Sequence, residues 1–157
     1  MSKRFRPSNG TLYALLLAGQ TIAASALFMK VFPIFHDVLT HLGERLTLDI
    51  ADQISITAVA VTLHCCYWIR LGWVTVTVPF KSTLISHLCI FIGRLSFLFG
   101  GALFSAVFFR HVPELDVLPT FEQSAVKLSY IALILFGLFC YSLELDRLGK
   151  ALEPDPL

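Results

Sequence analysis

The sequence predicts an all-α membrane protein: four transmembrane helices packed as a bundle, with a short amphipathic helix on the outer side. Three observations carry this expectation. Hydrophobic residues make up 56% of the 157 residues and charged residues 15%, with a mean hydropathy of +0.75; a soluble domain usually carries about 25% charged residues. Four apolar stretches, at about 12–32, 54–74, 88–109 and 124–143, each approach the ~20 residues that cross a hydrocarbon core as a helix. Charge also alternates along the chain. Lys3, Arg4 and Arg6, then Arg70, Lys81 and Arg94, then Arg147 and Lys150 mark one side. Asp37, Glu44, Asp49, Asp52, Glu114, Asp116 and Glu122 mark the other. By the positive-inside rule the two termini and the 77–83 bridge face the cytoplasm. The spans leave no room for a soluble domain of useful size, so 1–157 reads as one membrane domain.

The first span opens like a secretory signal, with basic residues, the apolar run LYALLLAG and then Ala24-Ser25-Ala26. The apolar run continues to Phe32, beyond the about 7–15 residues of a signal core, so an uncleaved span is expected. Gly19 and Ala23 lie four apart beside Gln20, a spacing that lets helices approach closely in lipid. Lys30 can snorkel to the interface, and Pro33 is expected to mark the exit. In 36–48, Val38, Leu39, Leu42 and Leu46 fall at helical spacing among polar residues, which predicts the outer amphipathic helix.

The second span ends in Tyr67, Trp68, Arg70 and Trp73, rings and a cation suited to the headgroup level. Val74 to Val78 alternate Val and Thr, a strand-like pattern that predicts an extended link. Pro79 closes it, and Ser82 or Thr83 can cap the next helix. The second and third spans, joined by so short a bridge, read as a hairpin. The third span is expected to begin as a helix before it meets lipid. Its middle holds Ser96, Gly100, Gly101 and Ser105, with Ala102 and Ala106 also four apart, the strongest helix-packing signal in the chain. Thr120 and Gln123 match a capping box ahead of the fourth span, in which Lys127 can reach the outer interface. That helix is expected to run on through an amphipathic cytoplasmic tail, 144–153. There Leu145, Leu148 and Leu152 form a stripe, Asp146 and Lys150 can pair, and Pro154 ends the helix.

From 54 to 153 the order of second span, link, Pro79-Phe80, polar helix start, Ile92-Gly93, third span and charged tail resembles a bacterial family of four-helix integral membrane proteins of unknown function. The resemblance implies this architecture and a bacterial inner membrane. It implies no activity. The polar residues usual after that Pro-Phe are missing.

Two arginines stand out as site residues. Arg70 and Arg94 have no acidic residue in their own spans, and an arginine at the core centre costs from about 2.5 to over 10 kcal/mol. They can snorkel to lipid phosphates, with Arg70 interfacial in either case, or they can form an anion or partner site with Gln20. His64, Cys65 and Cys66 are consecutive, so they point about 100° apart and cannot chelate one metal; a hydrogen bond between helices is expected of His64. Cys65, Cys66, Cys89 and Cys140 read as small buried hydrophobes. His36, His41 and His111 sit among acidic residues in the outer connections, as solvated loop residues. No phosphate loop, HExxH pair or nucleophile elbow is present, and basic residues are too scattered for a nucleic-acid face. No catalytic residue, metal or cofactor is expected. The expected partners are the lipid bilayer and either another membrane protein or a second copy. The residues favour a non-enzymatic accessory, regulatory or immunity-type subunit that binds another membrane protein through its helices. The alternative is a small transporter or homo-oligomeric pore with a polar path near Gln20, Thr62, His64, Ser96 and Arg94.

Overall fold

The computed structural model describes residues 9–41, 49–111 and 121–154. They form four helices: α1 (Asn9–Thr40), α2 (Ile50–Trp73), α3 (Thr83–His111) and α4 (Phe121–Leu152). No strand occurs among the described residues. Three stretches, Asn9–Asp37, Ile50–Trp73 and Thr83–Leu103, are long and apolar enough to cross a membrane. At ~1.5 Å per residue each helix exceeds the ~30 Å of a hydrocarbon core. Large apolar side chains cover the outside, among them Ile22, Met29, Leu84 and Leu98. Such a surface is unusual in water and ordinary in lipid.

α3 lies along α4 and α1 along α2; α4 also touches α2, and α1 touches α3. α2 and α3, although joined by the short bridge, make no backbone approach to one another. The expected hairpin is therefore corrected. Each of the two central helices finds its main partner in a terminal helix.

The buried positions explain the packing. On α2 they are Ile56, Ala60, Leu63, Tyr67 and Arg70, alternately four and three apart. On α1 they include Tyr13, Gln20, Ala24 and Leu27, and on α4 Leu138, Tyr141, Leu145 and Leu152. An average spacing of 3.5 residues keeps one seam of a helix facing its neighbour over several turns. On α3 the seam is made of small residues. Ser86, Gly93 and Gly100 are buried seven apart, with Ser96 and Leu103 between and beyond them. A Cβ added at Gly93 would sit 3.1 Å from the Ser142 carbonyl oxygen, and one at Gly100 3.0 Å from Leu138 Cδ1. From the other side, a Cβ at Gly149 of α4 would sit 3.0 Å from the Ser86 carbonyl oxygen. Glycine thus lets α3 and α4 approach where no side chain fits.

The expected ladder divides at this point. Gly100 faces α4 and Ser96 is buried, whereas Gly101 and Ser105 are exposed, and among the described residues nothing lies within 4 Å of a Cβ built on Gly101. One residue turns a helix by about 100°, so adjacent glycines cannot share a face.

Helix ends differ from expectation in two places. α1 does not stop at Pro33; it continues to Thr40. The ring of proline disturbs the preceding turn, but the later turns still close, and Thr40 Oγ1 donates to the His36 carbonyl at 3.0 Å. The first part of the outer amphipathic segment is thus the end of α1; 42–48 lies outside the described residues, as does Thr120 of the capping box. α2 ends at Trp73, and Val74 is extended at φ −132° and ψ 126°. The Ser82 N–H donates to the Leu152 carbonyl at 2.8 Å, which ties the bridge to the end of α4. α4 runs unbroken through the amphipathic tail to Leu152, and there Lys150 Nζ lies 2.6 Å from Asp146 Oδ2.

Leucine at Gly100 should overpack the α3–α4 contact, at a cost of about 1–3 kcal/mol. Leucine at Gly101 should leave the isolated chain intact. Thermal unfolding in detergent measures both; equal melting of the two variants would mean that α3 is rotated from the orientation described.

Candidate functional site

The polar groups of this chain fall into two sets, one inside the helices and one outside. The inner set begins with Arg70, on the α2 seam seven residues beyond Leu63 and only 4% exposed. Its Nε lies 2.7 Å from Oε1 of Glu144, a residue with no exposed surface at all. Glu144 belongs to α4, one residue past the end of the apolar run, and the unbroken helix carries it to the level of Arg70. Tyr13 of α1 completes the group. Its ring centroid is 5.7 Å from the Arg70 guanidinium carbon, and its hydroxyl sits beside both charged groups. Three helices therefore meet on one ion pair. Burial strips water from both charges, and their mutual attraction offsets that loss only while both partners are present.

This corrects the expectation that Arg70 is interfacial. Trp68 and Trp73, its neighbours in the aromatic group, are exposed, whereas Arg70 is buried on the seam, about 200° round the helix from Trp68. The partner could not be found within the second span because it comes from the fourth helix, beyond the stretch counted as a span.

Gln20 is also fully buried, two turns from Tyr13 on the α1 seam. Neither of its side-chain polar atoms has a hydrogen-bond partner among the described residues. It is close in sequence to the packing residues expected with it. Ala23 is buried against Leu63 and Tyr141, and a Cβ on Gly19 would meet Cys66 Sγ at 3.2 Å.

His64 takes a different position. Its Nε2–H donates to the Leu133 carbonyl of α4 at 3.0 Å, and its ring stacks on Phe136 with centroids 5.6 Å apart. Gly137 makes this possible, since a Cβ there would lie 2.9 Å from Leu63 Cδ2 and 3.3 Å from His64 Nε2. Two hydroxyls of the expected polar path are satisfied within their own helices. Thr62 donates to the Ala58 carbonyl at 2.8 Å and Ser96 to that of Ile92 at 2.9 Å. At the far end Lys30 pairs with Asp52 at 3.2 Å, rather than standing alone at an interface. His41 Nδ1 lies 2.8 Å from Asp37 Oδ1, and among the described residues no three His, Cys, Asp or Glu side chains converge as a metal site would require.

The outer set is Arg94. It is exposed on α3, and no acidic group pairs with it among the described residues. Its neighbour Gly93 packs against Ser142 and Leu145, so Arg94 lies at the level of Glu144 but on the outside. Gln20, Arg70 and Arg94 are thus not one site. Gln20 and Arg70 share the interior with Tyr13 and Glu144, and Arg94 faces away.

Compared with known proteins, the chain matches no family model, no curated protein and no solved structure.

Removing either member of the buried pair should be costly. Arg70→Ala or Glu144→Ala should each destabilise the chain by about 3–5 kcal/mol, because an uncompensated charge stays inside. Replacing both together with Arg70→Met and Glu144→Leu should restore most of that loss. Unfolding in detergent of the two single variants and the double variant measures the coupling; additive losses would mean that the two charges do not interact.

Proposed function

We propose that this chain is a multi-pass protein of a bacterial inner membrane, with four spans packed as a bundle and both termini in the cytoplasm. It acts as a non-enzymatic accessory, regulatory or immunity-type subunit that binds another membrane protein through its helices. The observation that carries this reading is the contrast between two arginines. Arg70 is matched inside the chain by Glu144. Arg94, at the same level, presents a cation on an apolar outer face with no counter-charge among the described residues. Charged residues in membrane helices are expensive, and they usually meet a partner or line a functional surface.

The distribution of charge supports the orientation. Tyr13 near the start of α1, Arg70 near the end of α2 and Glu144 late in α4 lie at one end, where the bridge with Lys81 and the basic end of α4 also fall. The fourth helix is apolar over 124–143, which supports a fourth span. The element order from 54 to 153 supports kinship with the bacterial four-helix family it resembles.

A transporter or pore is less favoured, on a specific ground. The path imagined for it needs Gln20, Thr62, His64, Ser96 and Arg94 along one route. Gln20 is in the core, His64 is tied to α4, Thr62 and Ser96 are bonded to their own helices, and Arg94 is outside.

Two measurements test the reading. A reporter that fluoresces only in the cytoplasm should light at both termini and stay dark when inserted near Glu114; a dark C-terminal fusion on an intact protein would remove a span. The tagged chain purified in mild detergent should carry a second membrane protein in fixed ratio, and Arg94→Ala should lose it. A chain that runs alone as a monomer, or as a closed ring of copies, would overturn the proposal.

A further inference from the structure

The outer face of α3 has its own pattern. His87, Phe91, Arg94, Leu98, Gly101 and Ser105 are all exposed and are alternately four and three residues apart. This is the spacing of a helix seam, displaced by one residue from the seam that packs on α4. Toward its far end, Gly101 has nothing within 4 Å of a built Cβ among the described residues. Glycine inside a helix is less favourable than alanine, and no contact among the described residues compensates for that here. Two turns away, Arg94 stands on the same stripe without an acidic partner among the described residues.

We infer that this stripe is the docking face for a single membrane helix of a different chain, one that brings a carboxylate to Arg94 and a close backbone crossing to Gly101. The inference rests on the accessory-subunit reading and names the partner's chemistry. Charge selects the occupant. A second copy related by a two-fold axis along the helices places the same patch against itself, which brings Arg94 toward Arg94 at one level. A ring of copies brings Arg94 to a different surface of the same chain, but the carboxylates at that level are already engaged, Glu144 by Arg70 and Asp146 by Lys150. A lipid phosphate satisfies the guanidinium but has no use for a bare helix surface at Gly101. A helix bearing Asp or Glu accounts for both residues, and its planar carboxylate matches the two-pronged donor of arginine.

The test uses the full chain in vesicles of zwitterionic lipid and labelled synthetic apolar helices of leucine and alanine. One peptide carries a single Glu with an alanine seven residues away; its twin carries Gln in place of Glu. Energy transfer between chain and peptide gives the affinity. The Glu peptide should bind at least tenfold more tightly than the Gln peptide. Arg94→Gln should erase that preference, and Gly101→Ile should weaken the Glu peptide several-fold while the chain's melting temperature holds. Equal binding of the two peptides overturns the inference, as does a Glu preference that survives Arg94→Gln. Loss of the preference when anionic phosphatidylglycerol is added would assign Arg94 to lipid phosphate instead. A dimer of the chain alone, broken by Gly101→Ile in light scattering, would assign the face to a second copy. If the peptides fail to discriminate but the purified chain still holds a membrane protein in fixed ratio, the docking face falls and the accessory reading stands.

Discussion

The Arg70–Glu144 pair constrains the position of every helix that touches it. In an apolar interior two opposite charges are tolerable only in contact, so α2 and α4 must meet at this level and in this rotation. Tyr13 brings α1 to the same point, its ring under the guanidinium. A slip of one residue in α2 or α4 turns its member of the pair by about 100° and leaves a bare charge in the core; a slip in α1 takes away the ring and hydroxyl of Tyr13. The pair adds little net stability over well-packed apolar side chains. Its contribution is to exclude the alternative registers that a uniformly apolar set of helices would accept almost equally well.

Close approach between helices supplies what the ion pair does not. Apolar side chains facing lipid gain nothing by burial against another apolar helix, so contact depends on fit. The α3–α4 contact achieves that fit with Gly93 and Gly100 on one helix and Gly149 on the other. Gly137 does the same for α2 and α4, letting His64 reach the Leu133 carbonyl. Helix α4 therefore acts as the hub: it meets α3 through small residues, α2 through charge and a histidine, and α1 through Tyr13. The bridge, tied to Leu152 by Ser82, holds the start of α3 against the end of this same helix.

With the inner charges matched, the charge left over lies outside. The hydroxyls of Thr21, Thr57, Thr62 and Ser96 return to their own helices, Lys30 of α1 is paired with Asp52 of α2, and Asp146 is paired with Lys150 one turn away. Arg94 and the bare surface at Gly101 have no such explanation within the chain. Their common stripe on α3 is why the function proposed is recognition of another helix rather than passage of a solute.

The sequence by itself determined that the chain is helical and apolar, where the helices lie apart from the end of α1, and that the tail continues the fourth helix. Those properties follow from composition and from the 3.6-residue period, which are local. It also marked the residues that matter, Gln20, Arg70, Arg94 and the α3 glycines, because polar or small residues are conspicuous in an apolar run. What only the tertiary structure decided was which of them face inward. Gly100 and Gly101 are equivalent in a linear string and stand on different faces of a helix. Arg70 and Arg94 look alike until α4 is folded back, because Glu144 is distant along the chain and adjacent in space. Rotation of each helix about its axis, and the choice of its neighbour, depend on contacts between segments far apart in sequence. No period within one segment encodes them.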